Sequence, residues 1–192
     1  MGALQANLPD LFVALIHYPV LDRNGRIVTS AITSLDLHDI ARSARTYGVR
    51  AMYVVHPVAE QRQFASQVLD HWRLDQGRLY DSRRREALDL VEVVEDLEAA
   101  LSAAQILARS RPLLVYTSAR ASCGASYDEL RSKLNDTAGA PIMLMFGTGF
   151  GLAPAMREQA DVILRAVCGP DEYNHLSVRA AASVILDRLT GR

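Results

Sequence analysis

Five stretches of the chain are apolar almost without interruption: Leu11–His17 (LFVALIH), Ala51–His56 (AMYVVH), Pro112–Ser118 (PLLVYTS), Pro141–Phe146 (PIMLMF) and Asp161–Val167 (DVILRAV). Continuous rather than alternating apolarity is the pattern of strands covered on both faces. Between them the period lengthens. Over Ser34–Tyr47 the residues Leu37, Ile40, Ala41 and Ala44 recur at helical spacing, with Asp36 and Asp39 near the positive end of the helix dipole. Val58–Trp72, the segment around Ala99–Ala108 and Tyr127–Leu134 read as three further helices, and His175–Leu189 (HLSVRAAASVILDRL) as a strongly amphipathic last one. Leu90–Leu101 (LVEVVEDLEAAL) admits two readings, a short strand turning into a helix at Glu95–Asp96 or helix throughout. Leu21–Val28 (LDRNGRIV) reads as a loop with its turn at Asn24–Gly25. Strand and helix alternate, which predicts an α/β fold with a mainly parallel sheet flanked by helices. No repeat, linker or low-complexity segment divides it, so residues 1–192 are expected to form one domain.

Composition narrows the partners. The net charge of −1 supplies no bulk attraction to nucleic acid, so any such partner must be held by local basic patches. Cys123 and Cys168 are too few and too far apart for a metal knuckle or a disulfide framework, and His56 and His71 lack ligand spacing, so no metal is expected. No apolar run approaches the ~20 residues of a membrane span. The opening MGALQANLPD lacks a basic segment followed by an apolar core. A cytoplasmic protein without membrane partners is expected.

The chemistry begins where MLMFGTGFGL (Met143–Leu152) runs from a buried strand into three glycines spaced by two. The dinucleotide fingerprint does not fit, because Leu152 stands where the third glycine belongs and the loop comes late in the chain. A P-loop fails for want of a following Gly-Lys-Ser/Thr. Pro154 is tolerable in a first helical turn, so a short helix is expected near Ala153. A second glycine loop, CGPDEYNHLSVR, follows the next strand, and a third strand ends at VYTSAR (Val115–Arg120). In a parallel sheet these strand ends converge on one carboxyl edge, where α/β proteins bind ligands.

Three blocks together resemble the SPOUT (α/β-knot) RNA methyltransferases. DLHDIARSARTYG (Asp36–Gly48) is similar to the family's Asn-x-Gly-x-x-x-Arg-x-x-x-x-Phe-Gly, with Arg42, Tyr47 and Gly48 on matching positions, Asp36 for the asparagine and His38 for the first glycine. LMFGTGFGL is similar to the second block, with Gly149 where an acidic residue is usual. RAVCGPDEYNHLSVR has the length of the third, Ile-Pro-Met-x-Gly followed by Ser-Leu-Asn-x-Ser-x-Ala: Gly169, Leu176, Ser177 and Val178 fit, His175 takes the asparagine's place, and Tyr173 and Arg179 depart. The His17-Tyr18 pair ending the first strand is shared with the guanine-N1 branch.

The resemblance, over roughly Leu11 to Leu189, implies a C-terminal trefoil knot and a homodimer whose acceptor site is built from both chains. It implies S-adenosylmethionine as cofactor, S-adenosylhomocysteine as product, and tRNA or rRNA as substrate. By match the cofactor binders are Gly147, Thr148, Gly149, Phe150, Gly151, Val167, Cys168, Gly169, His175, Leu176 and Ser177, with Thr117 and Ser118 added by position. In the ribose 2′-O branch the arginine matching Arg42 is catalytic. His38, Arg42 and Arg45 share one helix face by spacing, and guanidiniums there suit RNA phosphate. Asp171 resembles the aspartate with which the guanine-N1 branch takes the guanine proton. His175 is a possible general base, since an imidazole titrates near neutrality. Asn174 joins Arg42 and Asp171 as a catalytic candidate, and Asn174 or Tyr173 either bonds the ligand or caps the last helix. Ser82–Glu86 (SRRRE) reads as a surface loop. An alternative function is a non-catalytic S-adenosylmethionine- or RNA-binding module, which the departures at Asp36, Gly149 and Arg179 would suit.

Overall fold

The computed structural model describes residues 10–74, 81–136 and 138–191, so most of the opening segment read for a leader lies outside the described residues. The chain forms β1 (Leu11–Ile16), β2 (Val20–Leu21), β3 (Ile27–Val28), α1 (Ser34–Thr46), β4 (Ala51–Val55), α2 (Ala59–Arg73), α3 (Ser82–Leu88) and β5 (Val91–Val94). It continues through α4 (Leu97–Ala108), β6 (Leu113–Tyr116), α5 (Tyr127–Asn135), β7 (Ile142–Gly147), α6 (Pro154–Glu158), β8 (Val162–Ile163) and α7 (Val178–Thr190). Six strands make one sheet in the order β5-β4-β1-β7-β6-β8, and every pairing in it is parallel.

β1 explains the apolar pattern. It sits between β4 and β7, with Phe12 opposite both Ala51 and Met143, and its six residues are all buried. Leu11, Val13 and Leu15 face one layer, packed with Leu37 and Ile40 of α1, Leu130 of α5 and Ile185 of α7. Phe12, Ala14 and Ile16 face the other, with Ala100 and Ala104 of α4 and Met156 of α6. A strand covered on both sides cannot alternate, because each face must be apolar.

Except at α2 and α6, which follow Val58 and Ala153, the helix starts follow short polar side chains that satisfy the free N–H groups of the first turn. Thr33 accepts from Asp36 N, Asp96 from Ala99 N and Ser177 from Ala180 N, and Ser126 with Glu129 forms a reciprocal capping box. The cap at Asp96 resolves Leu90–Leu101 as strand then helix.

Three expectations need correction. Asp161–Val167 is not a full strand: only Val162–Ile163 pairs with β6, after which the Arg165 and Ala166 amides bond to the carbonyls of Ala125 and Ala121. Leu164 still belongs to the core layer that holds Val115 and Leu144, so its apolarity reflects burial beyond the end of the strand. SRRRE is not a loop but the body of α3, capped by Asp81, with the Arg84 guanidinium stacked over Trp72 at 4.6 Å. Leu21–Val28 carries the expected turn, Gly25 having φ 76°, but its flanks pair antiparallel as β2 and β3.

Candidate active site

Three neighbouring strand ends build the site. At the end of β7, a side chain on Gly147 would come within 2.7 Å of the Leu152 amide nitrogen, and Gly149 adopts φ 60°, where an added Cβ would lie 3.0 Å from the Leu21 carbonyl oxygen. Glycine is the residue that accepts both demands without strain. The loop is pinned from beneath by the β2–β3 hairpin: Phe150 N donates to Leu21 O at 3.0 Å, and Leu21 N donates to Gly151 O at 2.9 Å. The Thr148 and Ser30 hydroxyls share a hydrogen bond. After β6, the Thr117 hydroxyl donates to Met145 O at 2.7 Å, and the Asn174 amide reaches Ala119 O at 2.9 Å, tying the last loop to this strand end.

With the segment after β8 and the start of α7, these loops enclose a recess of about 470 Å³. That volume falls within the roughly 300–1,000 Å³ of small-molecule sites. Phe146, Leu164, Ala166 and Ile185 give it an apolar floor, and Val178, Ala181 and Ile185 line it from one face of α7. Among the described residues, the backbone N–H groups of Gly149, Val167 and Leu176 meet no protein acceptor. An apolar floor beneath free amides suits a nucleoside, whose base is flat and whose edge carries acceptors. The lining contains no carboxylate.

Of the expected cofactor binders, Thr117, Ser118, Gly147, Thr148, Gly149, Phe150, Gly151, Val167, His175, Leu176 and Ser177 all line the recess. Cys168 and Gly169 do not, nor does Asp171, whose carboxylate accepts from Tyr173 N at 3.1 Å. Asn174 both lines the recess and bonds Ala119, while Ser177 caps α7, so the two roles open for Asn174 divide between neighbours. Two further lining residues, Arg120 and Arg165, are not singled out by sequence reasoning. The first ends the VYTSAR strand segment; the second is hidden inside an apparent strand.

The α1 face is more divided than its spacing suggests. Arg42 is exposed and lies outside the recess lining of its own chain. Arg45 is engaged with Glu86. His38 stacks edge-on against Trp72, and burial, then the Arg84 guanidinium, holds its imidazole below the usual histidine range. Asp36 is buried and receives Arg179 Nη1 at 2.7 Å and the Thr33 hydroxyl at 2.7 Å; Arg179 Nε also lies 3.5 Å from Asp39. Two departures from the family blocks thus meet as an ion pair.

The chain matches, over residues 10–191, the family described as SAM-dependent RNA methyltransferase. It is 41% identical over its full length to a tRNA (guanine-N(1)-)-methyltransferase of Nitratidesulfovibrio vulgaris, covering 45% of that protein. It is 38% identical over 95% of its length to the protein of that name in Oleidesulfovibrio alaskensis, covering 42%. The chain therefore spans less than half the length of these relatives. In fold it is similar to the SpoU methyltransferase AviRb of Streptomyces viridochromogenes in complex with AdoMet, with a TM-score of 0.57 and 16% identity over 95% of this chain and 57% of that one.

Proposed function

The chain belongs to the SAM-dependent RNA methyltransferase family, whose methyl donor is S-adenosylmethionine, and from that premise we propose that it transfers the methyl group to tRNA. One observation carries the reading: three strand-end loops and the first turns of α7 converge on one recess with an apolar floor and free backbone amides. The glycine loop holds the nucleoside, and the segment from His175 to Ser177 closes over it. In-line transfer from a sulfonium needs alignment of donor and acceptor, and removal of a proton from the acceptor. With no carboxylate in the lining, the His175 imidazole is the proton acceptor the recess itself offers, and Asp171 serves only if its loop turns inward.

Arg42 stands outside its own chain's recess, so its part in the reaction requires a homodimer in which α1 of one protomer faces the recess of the other. The knot implied by the family places α7 across the cofactor. The departures that suited a non-catalytic module weigh less here, since Asp36 and Arg179 satisfy one another.

Calorimetric titration with S-adenosylmethionine tests the site, with Ala181→Phe beside the wild type. The phenyl group enters the recess from α7 without a helix-breaking residue. Binding on the order of micromolar, weakened at least about a hundredfold in the variant at unchanged melting temperature, supports the reading. Equal binding by both proteins, or none by the folded wild type, overturns it. Nucleoside analysis of tRNA after incubation with labelled donor then distinguishes a methylated guanine N1 from a methylated ribose, and binding without any transfer favours the non-catalytic module.

A further inference from the structure

Arg120 and Arg165 line the recess, and neither has a carboxylate within ion-pair distance among the described residues. Nine other arginines do. Glu129 is near enough to Arg165 to be held lower by it, but that carboxylate is engaged first by the Ser126 amide and hydroxyl in the α5 capping box. The strand order sets a sequence along the edge: the β7 loop with Phe150, the β6 loop with Arg120, then the segment after β8 with Arg165. Phe150 is 50% exposed although it lines the recess, and Tyr173, next to Asn174, is 75% exposed. The recess lining itself carries no acid.

We propose that this mouth binds an unpaired RNA nucleotide, its base stacked on Phe150 and its flanking phosphates held by Arg120 and Arg165. The inference rests on the methyltransferase reading and deepens it by assigning the acceptor strand to the recess mouth rather than to the α1 face. A base inside a duplex cannot bring its reactive atom to a methyl group held in a recess, so the nucleotide enters splayed from its stack. A guanidinium pairs bidentately with phosphate, and an aromatic face accepts any base, so the pair supplies grip without sequence preference. With a net charge of −1, attraction to RNA must be local, and these two cations are placed where the strand has to pass.

The same cations could instead meet the carboxylate of the cofactor, and the experiment separates the two. The wild-type chain, Arg120→Ala, Arg165→Ala, Phe150→Ala and the control Arg157→Ala are titrated, without cofactor, against a labelled single-stranded oligoribonucleotide and its duplex. S-adenosylmethionine is titrated separately. Each recess arginine variant is expected to bind the single strand about tenfold more weakly and to lower the salt dependence by about one phosphate contact, with cofactor affinity within about twofold of wild type. Phe150→Ala weakens the single strand selectively, and Arg157→Ala changes neither. RNA affinity unaffected by Arg120→Ala and Arg165→Ala, or a loss that falls on the cofactor instead, overturns the proposal. Failure of the wild type to bind S-adenosylmethionine overturns the methyltransferase reading, while the RNA titrations still decide the mouth.

Discussion

The two halves of the sheet's carboxyl edge are built from the same parts and end differently. At β1 and β4 the strand ends close on themselves. His17 and His56 are both buried, their rings 5.7 Å apart, and His56 bonds Ser30 O at 3.0 Å and accepts from Val58 N at 3.1 Å. The Arg62 guanidinium covers the His56 and Pro57 carbonyls. At β7, β6 and β8, among the described residues, the Gly149, Val167 and Leu176 amides instead stay free. The recess opens on the side where backbone amides are left free, next to the β1–β7 boundary at which the chain reverses its direction of winding.

Disturbing the closed half is expected to change stability and leave cofactor affinity alone, whereas disturbing the open half does the reverse. The largest stability effect is expected at His17. Burial, then the neighbouring His56, lowers its imidazole from 6.5 to about 4; the Asp36 carboxylate and the Leu15 and Val55 carbonyls oppose this weakly, and among the described residues no group hydrogen-bonds either ring nitrogen. The unfolded chain takes up a proton near 6.5, so between that pH and about 4 it binds more protons than the folded one. Stability should fall as pH drops through this window, by roughly 3 kcal/mol from this residue. Urea midpoints at either end of the window measure it. His17→Leu should flatten the slope at little cost near neutrality, because a buried polar group without a partner is replaced by an apolar one; equal slopes in both proteins would refute the assignment.

A smaller effect is expected at the Asp36–Arg179 pair, which joins the halves by fastening the start of α7 to α1. Removing one partner of a buried pair costs roughly 3–5 kcal/mol, and partial exposure of Arg179 reduces this to about 2 kcal/mol for Asp36→Ala. A double-mutant cycle with Arg179→Ala should return a coupling energy of similar size; additive losses would show the contact to be idle. Smallest is Asp96→Ala, which removes the α4 cap far from the recess: about 1 kcal/mol of stability, with unchanged S-adenosylmethionine affinity by calorimetry.

The same contrast governs how much of the molecule is legible in its sequence. The strands are legible because burial on both faces leaves a continuous apolar run, and the β7 glycine loop because close backbone approach leaves no room for side chains. β8 is overread, since Leu164 is buried in the core and Ala166 where its amide meets Ala121, and burial beyond a strand looks in sequence like burial within one. α3 is underread because its arginines find their partners in Trp72, Asp81 and Asp89, none of which follows from a charge run. Arg120 and Arg165 acquire meaning only from a strand order that brings residues 45 apart to one rim.

The pair at Asp36 and Arg179 has a genetic consequence. The two positions lie 143 residues apart, one in the first family block and one in the third. Compared one column at a time with the family's signature, they count as two independent losses. In the folded chain they are one exchange, in which an opposite pair of charges stands where the signature has an asparagine and an alanine. Reverting Arg179 alone would leave the buried Asp36 carboxylate with the Thr33 hydroxyl as its partner, whereas reverting Asp36 alone leaves Arg179 beside Asp39, so the two changes are expected to be accepted in a preferred order.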